Sequence, residues 1–437
     1  MKVLVVGGGG REHALCWKLE QSPLIRELYC APGNPGTAAL ATAVPIAPEE
    51  IHRLADFAQE RRIDLTVIGP ELPLALGLAD ELLARGLPVF GPRRGAAEIE
   101  GSKVFAKQFM ERHGIPTAPS AIVHDAAQAR AAARRFGLPV VLKADGLAAG
   151  KGVLVVTDPA ELEAALAALF EERRFGAAAD RVVVEAFLTG EEVSCMALAD
   201  GERVLPLATV KDYKRIGDDD SGPNTGGMGS HSPAGVMAPD TAAYVVEKIL
   251  LPTVAGLAAE GRPFVGVLYA GLMLTPEGPR VLEFNARFGD PEAQVLLLRL
   301  EDDLLPVLAA GAARAAGAAG GFDVTRLRFR HEAAACVVLA SPGYPGRPVE
   351  GERIGGLDHA GSLPGVQIFH AGTAWVGGEL VSAGGRVLNV CATGPDLAAA
   401  LERAYTAAAA VDWPGKLLRR DIGRRVLQAA DSRVMGS

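Results

Sequence analysis

The chain has 437 residues, a net charge of −8 and an apolar content of 49%, with 22% charged residues. This composition is typical of a globular protein of about two to four domains and excludes a disordered chain. The excess of acidic residues, 52 against 44 basic, argues against a nucleic-acid partner. The five cysteines lack a CxxC pair, which indicates reduced thiols and a cytoplasmic location. No uncharged run of about 18 apolar residues occurs, so we expect no membrane partner.

The first hundred residues alternate between strand and helix patterns. We predict strands at Lys2–Val6, Leu28–Ala31, Leu65–Ile68 and Pro88–Phe90. Helices are predicted at Arg11–Glu20 and Leu78–Arg85. Such alternation predicts a parallel sheet with helices on both faces, whose ligands bind at the carboxyl ends of the strands. We therefore expect a ligand-binding edge formed by the loops at 7–10, 32–36 and 69–71.

The glycine loop after the first strand departs from the dinucleotide-binding fingerprint. Glu12 stands where the third glycine belongs, and the second strand ends without an acid for a ribose hydroxyl. A phosphate at the N-terminus of the next helix, beside Arg11, is the remaining functional interpretation. Glu71 suits sugar hydroxyls or, equally, the first turn of a helix, where a carboxylate favours the helix dipole.

A second glycine-rich loop lies between predicted strands at Val140–Leu142 and Val153–Val156. Its glycines leave backbone amides free to face an anion, and its lysines add positive charge. These residues are Gly146, Gly150, Gly152, Lys143 and Lys151. A Walker A loop is excluded, because the spacing between glycines is one residue short and a strand follows instead of a helix. We predict a triphosphate-binding loop, with an ordinary hairpin and solvated lysines as the alternative.

Further candidate ligands flank this loop. Lys103 lies in the first turn of a predicted helix that ends at His113, a poor place for a cation, which favours a role toward a ligand. After the predicted strand Arg181–Phe187, the Glu185 and Glu192 side chains could bind a nucleoside, with edge-strand acids as the alternative.

Residues 211–235 are rich in glycine, proline, aspartate and asparagine and show no periodicity. A long structureless segment inside a globular chain is typical of a functional lid or a linker. Lys211, Lys214 and Arg215 against Asp218–Asp220 predict charge pairing within the segment that closes it over a ligand.

A predicted strand at Arg280–Phe284 leads into a cluster of polar residues. Glu283 and Asn285 are two positions apart, so their side chains share a face, and paired oxygens suit Mg²⁺. Arg287 shares this face if the strand continues. Asp290 is expected to cap a helix that ends at Leu300. We predict a metal site, with capping alone as the alternative.

Residues 325–437 alternate strand-like runs with glycine turns and end in a predicted helix around Ala398–Ala410. The strands are predicted at Ala334–Leu339, Gln367–His370 and Val387–Thr393. The region has no convergent cluster of acids, bases or ligands. We expect it to pack against the rest of the chain and to wall the substrate site.

Several motifs resemble the ATP-grasp superfamily and, more closely, the phosphoribosylamine–glycine ligase family of purine biosynthesis. They are GREHAL at 10–15, APGNPGT at 31–37, GPE at 69–71, KADGLAAGKGV at 143–153, GPNTGGMG at 222–229 and RFGDPEAQ at 287–294. The resemblance covers essentially the whole chain. Gly8 is a departure, since many relatives carry asparagine there.

The resemblance implies an α/β chain of three parts. These are an N-terminal parallel α/β domain for phosphoribosylamine (1–101), α+β ATP-grasp domains (102–324, with an ATP subdomain at 120–190) and a small C-terminal α/β domain (325–437). It also implies a monomeric enzyme that uses ATP and Mg²⁺ or Mn²⁺ to join glycine to 5-phosphoribosylamine through glycyl phosphate. Another ATP-grasp ligase or carboxylase is the nearest alternative, followed by a non-catalytic nucleotide sensor and an oxidoreductase.

The resemblance further implies roles for individual residues. Catalytic roles fall to Arg287, Lys143 and Asp290, and metal binding to Glu283 and Asn285. ATP binding falls to Lys103, Lys143, Gly150, Lys151, Gly152, Glu185, Glu192 and the backbone of Leu188. Substrate binding falls to Gly8, Gly9, Gly10, Arg11, Glu71, Asp212, Lys214 and Asp290.

Overall fold

The computed structural model describes residues 1–146 and 152–435, and only the backbone of residues 177 and 430–435. Its first sheet is parallel, with the order Thr42–Ala43, Glu27–Pro32, Lys2–Gly7, Leu65–Ile68 and Val89–Phe90. The helices of this part are Gly10–Glu20, Ile51–Arg61, Glu71–Leu76, Leu78–Ala84 and Arg94–Gly101. Val3–Val6 are completely buried, as expected for a parallel strand covered on both faces. The predicted parallel sheet is confirmed.

Two antiparallel sheets of four strands follow. The first has the order Ser120–Val123, Val182–Ala186, Val140–Ala144 and Val153–Val156. The second has the order Val204–Pro206, Glu191–Asp200, Val265–Thr275 and Gly278–Asn285. The accompanying helices are Lys103–Arg112, Ala126–Phe136 and Pro159–Leu166. Each begins at a residue whose side chain accepts a backbone N–H bond, namely Ser102, Asp125 and Asp158.

The C-terminal region completes a five-stranded sheet that also contains two strands from residues 211–235. Its order is Lys211–Asp212, Gly229–Ser232, Ala333–Ala340, Arg386–Gly394 and Val366–His370. A hairpin pairs Thr373–Val376 with Glu379–Ser382. The helices of this half are Glu292–Arg299, Leu304–Ala315, Leu357–Gly361, Leu397–Ala410 and Arg424–Met435. The predicted strands and helix of this region are confirmed.

The prediction that residues 211–235 are structureless is wrong. The segment forms the two strands just named and a hairpin of Arg215–Gly217 with Ser221–Asn224. Gly229–Ser232 pairs with Ala333–Ala340, about a hundred residues later in the chain. No local sequence pattern therefore predicts the strand Gly229–Ser232. The predicted charge pairing within the segment is also wrong. Its aspartates pair with arginines near the C-terminus, in the pairs Asp219–Arg424, Asp220–Arg419 and Asp220–Arg425.

One helical run within the described residues is long and apolar enough to cross a membrane. It spans Pro239–Ala259 and has a mean hydropathy of 1.5. The run consists of Pro239–Val245, Val246–Leu250 and Leu251–Ala259. One face of the run, including Val245, Ile249 and Leu257, belongs to the main hydrophobic core, whereas Tyr244 and Leu251 are exposed. A single such run is weak evidence for a membrane span, because it rests on length and composition alone.

The first helix packs against the C-terminal sheet through His13. Its ring lies edge-on to Phe369, and its Nδ1 accepts a 2.8 Å hydrogen bond from the backbone N–H of His370. Burial and the neighbouring His370 lower the pKa of His13 to about 3. Burial lowers the pKa of His370 to about 4. Both rings are therefore neutral in the folded protein at neutral pH.

Acid should weaken this contact. Because the unfolded chain protonates His13 near pH 6.5 and the folded chain does not, its contribution to stability falls as the pH drops below 6.5. Between pH 7 and pH 5 we expect a loss of about 2 kcal/mol from His13. Urea unfolding followed by the fluorescence of Trp17, which contacts Phe369, measures it. His13→Asn should remove most of this loss, whereas His359→Asn, at an exposed position, should leave it unchanged; equal pH dependence in both variants would contradict the assignment.

Candidate active site

A cleft of about 1100 Å³ opens where the ligand edge of the first sheet faces the second antiparallel sheet and the C-terminal region. Most of the predicted site residues line it: Gly8, Gly9, Arg11, Glu71, Lys103, Lys143, Gly152, Glu185, Leu188, Glu192, Asp212, Lys214, Glu283, Asn285, Arg287 and Asp290. Gly10 does not line the cleft, because its Cα faces Asn389 and Gln294. Gly150 and Lys151 lie outside the described residues.

The centre of the cleft is an ion pair between Glu283 and Lys214. Their Oε1 and Nζ atoms are 3.2 Å apart, and Glu192 Oε2 lies 3.9 Å from the same ammonium. Lys214 above all, with further help from Lys143 and Lys103, lowers the pKa of Glu283 to about 2 despite its burial. Burial opposes the charge on Lys214, but Glu283, Asp212 and Glu192 outweigh it and raise its pKa. Both groups are therefore charged throughout the physiological range.

Two further lysines face this centre and are held by backbone carbonyls. Lys103 Nζ donates to Gly146 O at 2.8 Å, and Lys143 Nζ donates to Leu282 O at 2.8 Å. Burial lowers the pKa of Lys103, with Lys143 adding to the effect and Glu283 opposing it. Both ammonium groups are close enough to Glu283 to lower its pKa. They form a cationic surface suited to a polyphosphate.

Glu185 is more deeply buried than its predicted role suggests. It is 2% exposed and lies between two lysines, with Nζ–Oε distances of 3.1 Å to Lys143 and 3.2 Å to Lys107. Lys107 was not among the predicted site residues, although it lines the cleft. It lies one helical turn after Lys103, so this spacing was the only signal for it.

Arg287 lies beyond the end of the strand, so the condition under which it would share the strand face is not met. The strand ends at Asn285. The guanidinium of Arg287 instead meets two carboxylates, Glu100 at 3.0 Å and Glu71 at 3.4 Å. Although buried, it keeps its charge, because Glu100 and Glu71 raise its pKa. Glu100, a buried residue that the sequence did not single out, thus positions Arg287 at the edge of the first sheet.

Asp290 is not a helix cap, contrary to the prediction. The helix begins at Glu292 without a side-chain cap, and the Asp290 carboxylate accepts instead from Gln294 Nε2 at 2.6 Å. Its other oxygen lies 3.0 Å from Arg386 Nη2. Burial opposes the charge on Asp290, but Arg386 lowers its pKa below the usual range. Arg386 also donates to Gly226 O at 2.8 Å, so a C-terminal cation joins two parts of the site.

The N-terminal glycine loop forms the opposite end of the cleft. Gly9 N donates to Glu12 Oε2 at 2.7 Å, and Arg11 pairs with the same carboxylate at 2.6 Å. Glu12 therefore stabilises the loop through Gly9 and Arg11. A Cβ at Gly8 would lie 2.6 Å from the carbonyl oxygen of Gly33, so this position is closely packed against the neighbouring loop.

The oxygen donors of the strand fit a hard divalent cation. Glu283 and Asn285 both line the cleft, whereas Phe284 between them is 3% exposed and points into the core. Among the described residues, no three His, Cys, Asp or Glu side chains cluster as a metal site. One carboxylate and one amide suit Mg²⁺, which usually takes one or two protein oxygens together with phosphates and water.

Family models match nearly the whole chain. Those for the N domain, the ATP-grasp (A) domain and the C domain of phosphoribosylglycinamide synthetase match residues 1–100, 101–293 and 334–425. The chain is 52% identical to a phosphoribosylamine–glycine ligase of Mesorhizobium japonicum, over 97% of this chain and 98% of the relative. It is 48% identical to that of Vibrio cholerae, over 98% and 99%.

Solved structures agree with these matches. The phosphoribosylamine–glycine ligase of Thermotoga maritima superimposes with a TM-score of 0.83 at 35% identity, over 97% of this chain and all of the other. A biotin carboxylase domain of Hydrogenobacter thermophilus, solved with MgADP and bicarbonate, has a TM-score of 0.69 at 18% identity, over 95% of this chain and 91% of the other. The second likeness concerns the fold alone. The chain belongs to the phosphoribosylglycinamide synthetase family.

Proposed function

We propose that the chain joins glycine to 5-phosphoribosylamine at the expense of ATP, giving glycinamide ribonucleotide, ADP and phosphate through glycyl phosphate. Membership of the family makes it an ATP-dependent carbon–nitrogen ligase of purine biosynthesis. The observation that carries the proposal is the single cleft that joins the lysines around Glu283 to the N-terminal glycine loop. We assign phosphoribosylamine to residues 1–101, ATP to residues 102–324 and a supporting role to residues 325–437.

The first step needs a carboxylate to attack a polyanionic triphosphate. Like charges repel strongly where water is excluded, so the protein must neutralise the phosphates and hold the reactants in line. Lys103 and Lys143 are proposed to hold the triphosphate, with backbone amides of the loop that ends at Gly152. Arg287 is proposed to stabilise charge on the transferring oxygens. Its pairing with Glu71 and Glu100 supports this role, because both carboxylates hold the guanidinium in place.

Glu283 and Asn285 are proposed to hold the divalent cation, Mg²⁺ or Mn²⁺. When bound, such an ion neutralises phosphate charge and orients the nucleotide. Lys214 lies 3.2 Å from the Glu283 carboxylate. We propose that Lys214 and Asp212 contact the bound substrates.

The remaining substrate groups occupy the two ends of the cleft. Glu185, Glu192 and the backbone of Leu188 are proposed to bind adenosine. At the other end, Gly8–Arg11 and Glu71 are proposed to bind the phosphoribosyl group, near a helix N-terminus that favours phosphate. Asp290, kept ionised by Arg386, is proposed to hold the ammonium group of glycine. We further propose that the protein acts as a cytoplasmic monomer without nucleic-acid or membrane partners.

The choice of acid substrate tests the proposal directly. With ATP and Mg²⁺, purified protein should release ADP when glycine and 5-phosphoribosylamine are both present. Replacing glycine with bicarbonate should give no ADP above the rate without either acid. Bicarbonate-dependent release would instead indicate a carboxylase, the alternative that the biotin carboxylase fold keeps open.

A further inference from the structure

Glu292 is a buried carboxyl group in the cleft wall with no counter-ion. It is 4% exposed and is the first residue of the helix Glu292–Arg299. Within the described residues, its carboxylate makes no ion pair and no hydrogen bond to another side chain, but it accepts a hydrogen bond from its own backbone N–H. The other carboxylates of the site differ: Glu283 has Lys214, Glu100 has Arg287, Asp290 has Arg386 and Glu185 has two lysines. A buried carboxylate without a paired cation is uncommon in folded proteins and favours a functional role.

The position of the carboxyl group suits contact with the reacting atoms. A Cβ added at Gly289 would lie 2.5 Å from Glu292 Cδ, so the carboxyl lies against the turn between Arg287 and Asp290. A Cβ at Gly9 would lie 3.6 Å from Asp290 Oδ2. The same turn therefore lies near the N-terminal glycine loop, and on its other side Arg287 Nη2 donates to Asn285 Oδ1 at 3.4 Å. We expect the amine and the activated acyl group to meet between these two ends of the cleft.

The charges around Glu292 favour a group that exchanges a proton. The titratable and charged groups that face it are Asp212, Lys214, Tyr269, Arg287 and Arg386. Burial first, and the carboxylate of Asp212 next, raise the pKa of Glu292 to about 7. Such a pKa is well matched to a general base at neutral pH.

We propose that Glu292 is a catalytic residue that accepts the proton of the amine as 5-phosphoribosylamine attacks glycyl phosphate. The amine nitrogen forms a bond to the acyl carbon, and the bond from that carbon to the phosphate oxygen breaks with its electron pair on phosphate. The proton that the nitrogen loses goes to the Glu292 carboxylate and from there to water. The inference rests on the proposed function, because it needs an acyl phosphate and an amine in the cleft.

Two capture reactions of the same intermediate test it. Hydroxylamine reacts with acyl phosphates without a catalytic base, so glycyl hydroxamate reports the first step alone. In Glu292→Gln, amide formation with 5-phosphoribosylamine should fall about 100-fold, whereas ATP- and glycine-dependent hydroxamate formation should stay within a few-fold of the parent. The ratio of hydroxamate to amide should thus rise about 100-fold.

Two results would overturn the inference. If both reactions keep parental rates, Glu292 has no role in the reaction. If both reactions are lost together, Glu292 acts before acyl transfer. If the Glu292→Gln variant does not fold, the same hydroxamate-to-amide ratio is measured in Glu292→Asp. In that variant we expect the ratio to rise by about tenfold or more. Glu301→Gln, a nearby exposed position, is the matched control and should keep the parental ratio. Failure of the proposed function can be told apart from failure of this inference. If the proposed function is wrong, the parent protein itself gives no glycine-dependent hydroxamate.

Discussion

Glu283→Gln should lower the turnover number by about 10³-fold, because the carboxylate that would hold the divalent cation is lost while its shape is kept. The glutamine Oε1 can still accept from Lys214, which now lies 3.2 Å from the carboxylate. We therefore expect normal thermal unfolding. Titration calorimetry with ATP should show that Mg²⁺ improves nucleotide affinity in the parent and not in the variant.

Glu277→Gln is the matched control for this substitution. Glu277 is exposed in the turn before the same strand, where it accepts from Thr275 Oγ1 at 3.0 Å. It should keep parental turnover and metal dependence. Turnover within a few-fold of the parent in Glu283→Gln would contradict the metal site and favour a non-catalytic nucleotide sensor.

Lys143→Met should lower kcat/KM for ATP by about 10²- to 10³-fold, because one of the preorganised charges on the triphosphate is removed. The fold should tolerate the change, since Glu185 keeps Lys107 at 3.2 Å as a counter-ion. Steady-state kinetics in ATP measures the loss, and the melting temperature checks the fold.

Lys107→Met separates a role at the phosphates from a role at Glu185. Both lysines pair with this carboxylate, but Lys143 also reaches toward Glu283, whose pKa it lowers. If Lys143 acts on the triphosphate, Lys107→Met should cost far less activity. Equal losses in the two variants would show that both lysines act only through Glu185. Lys248→Met, at an exposed ion pair with Glu247, should leave kinetics unchanged.

Local sequence patterns predicted most of the regular structure. The strand Leu65–Ile68 lies at the predicted residues, and the helix predicted at Arg11–Glu20 is observed at Gly10–Glu20. The main failure, residues 211–235, has a physical reason. Its strands are polar and short, and they form because distant strands such as Ala333–Ala340 offer unpaired backbone groups. Hydrophobic alternation and turn spacing within residues 211–235 cannot predict pairing with such a distant strand.

The site was predictable where its residues lie close together in sequence. Glu283 and Asn285 share a strand face, and their spacing alone placed them together in the cleft. Arg386 was missed, because its contact with Asp290 joins positions 96 residues apart and a single arginine in a strand carries no signal. Glu292 was passed over for a different reason: an acid at a helix start is ordinarily a dipole partner, and only its burial distinguishes it.

The bond from Arg386 to Asp290 has a consequence for how the protein is made. A ribosome releases the lysines of the cleft and the whole N-terminal sheet well before it reaches position 386. Until then Asp290 lacks the guanidinium that contributes most to its low pKa, and the carbonyl of Gly226 has no donor from that group. A growing chain can thus form the lysine-lined part of the cleft first, and the end of the cleft at Asp290 is completed only when the C-terminal region arrives.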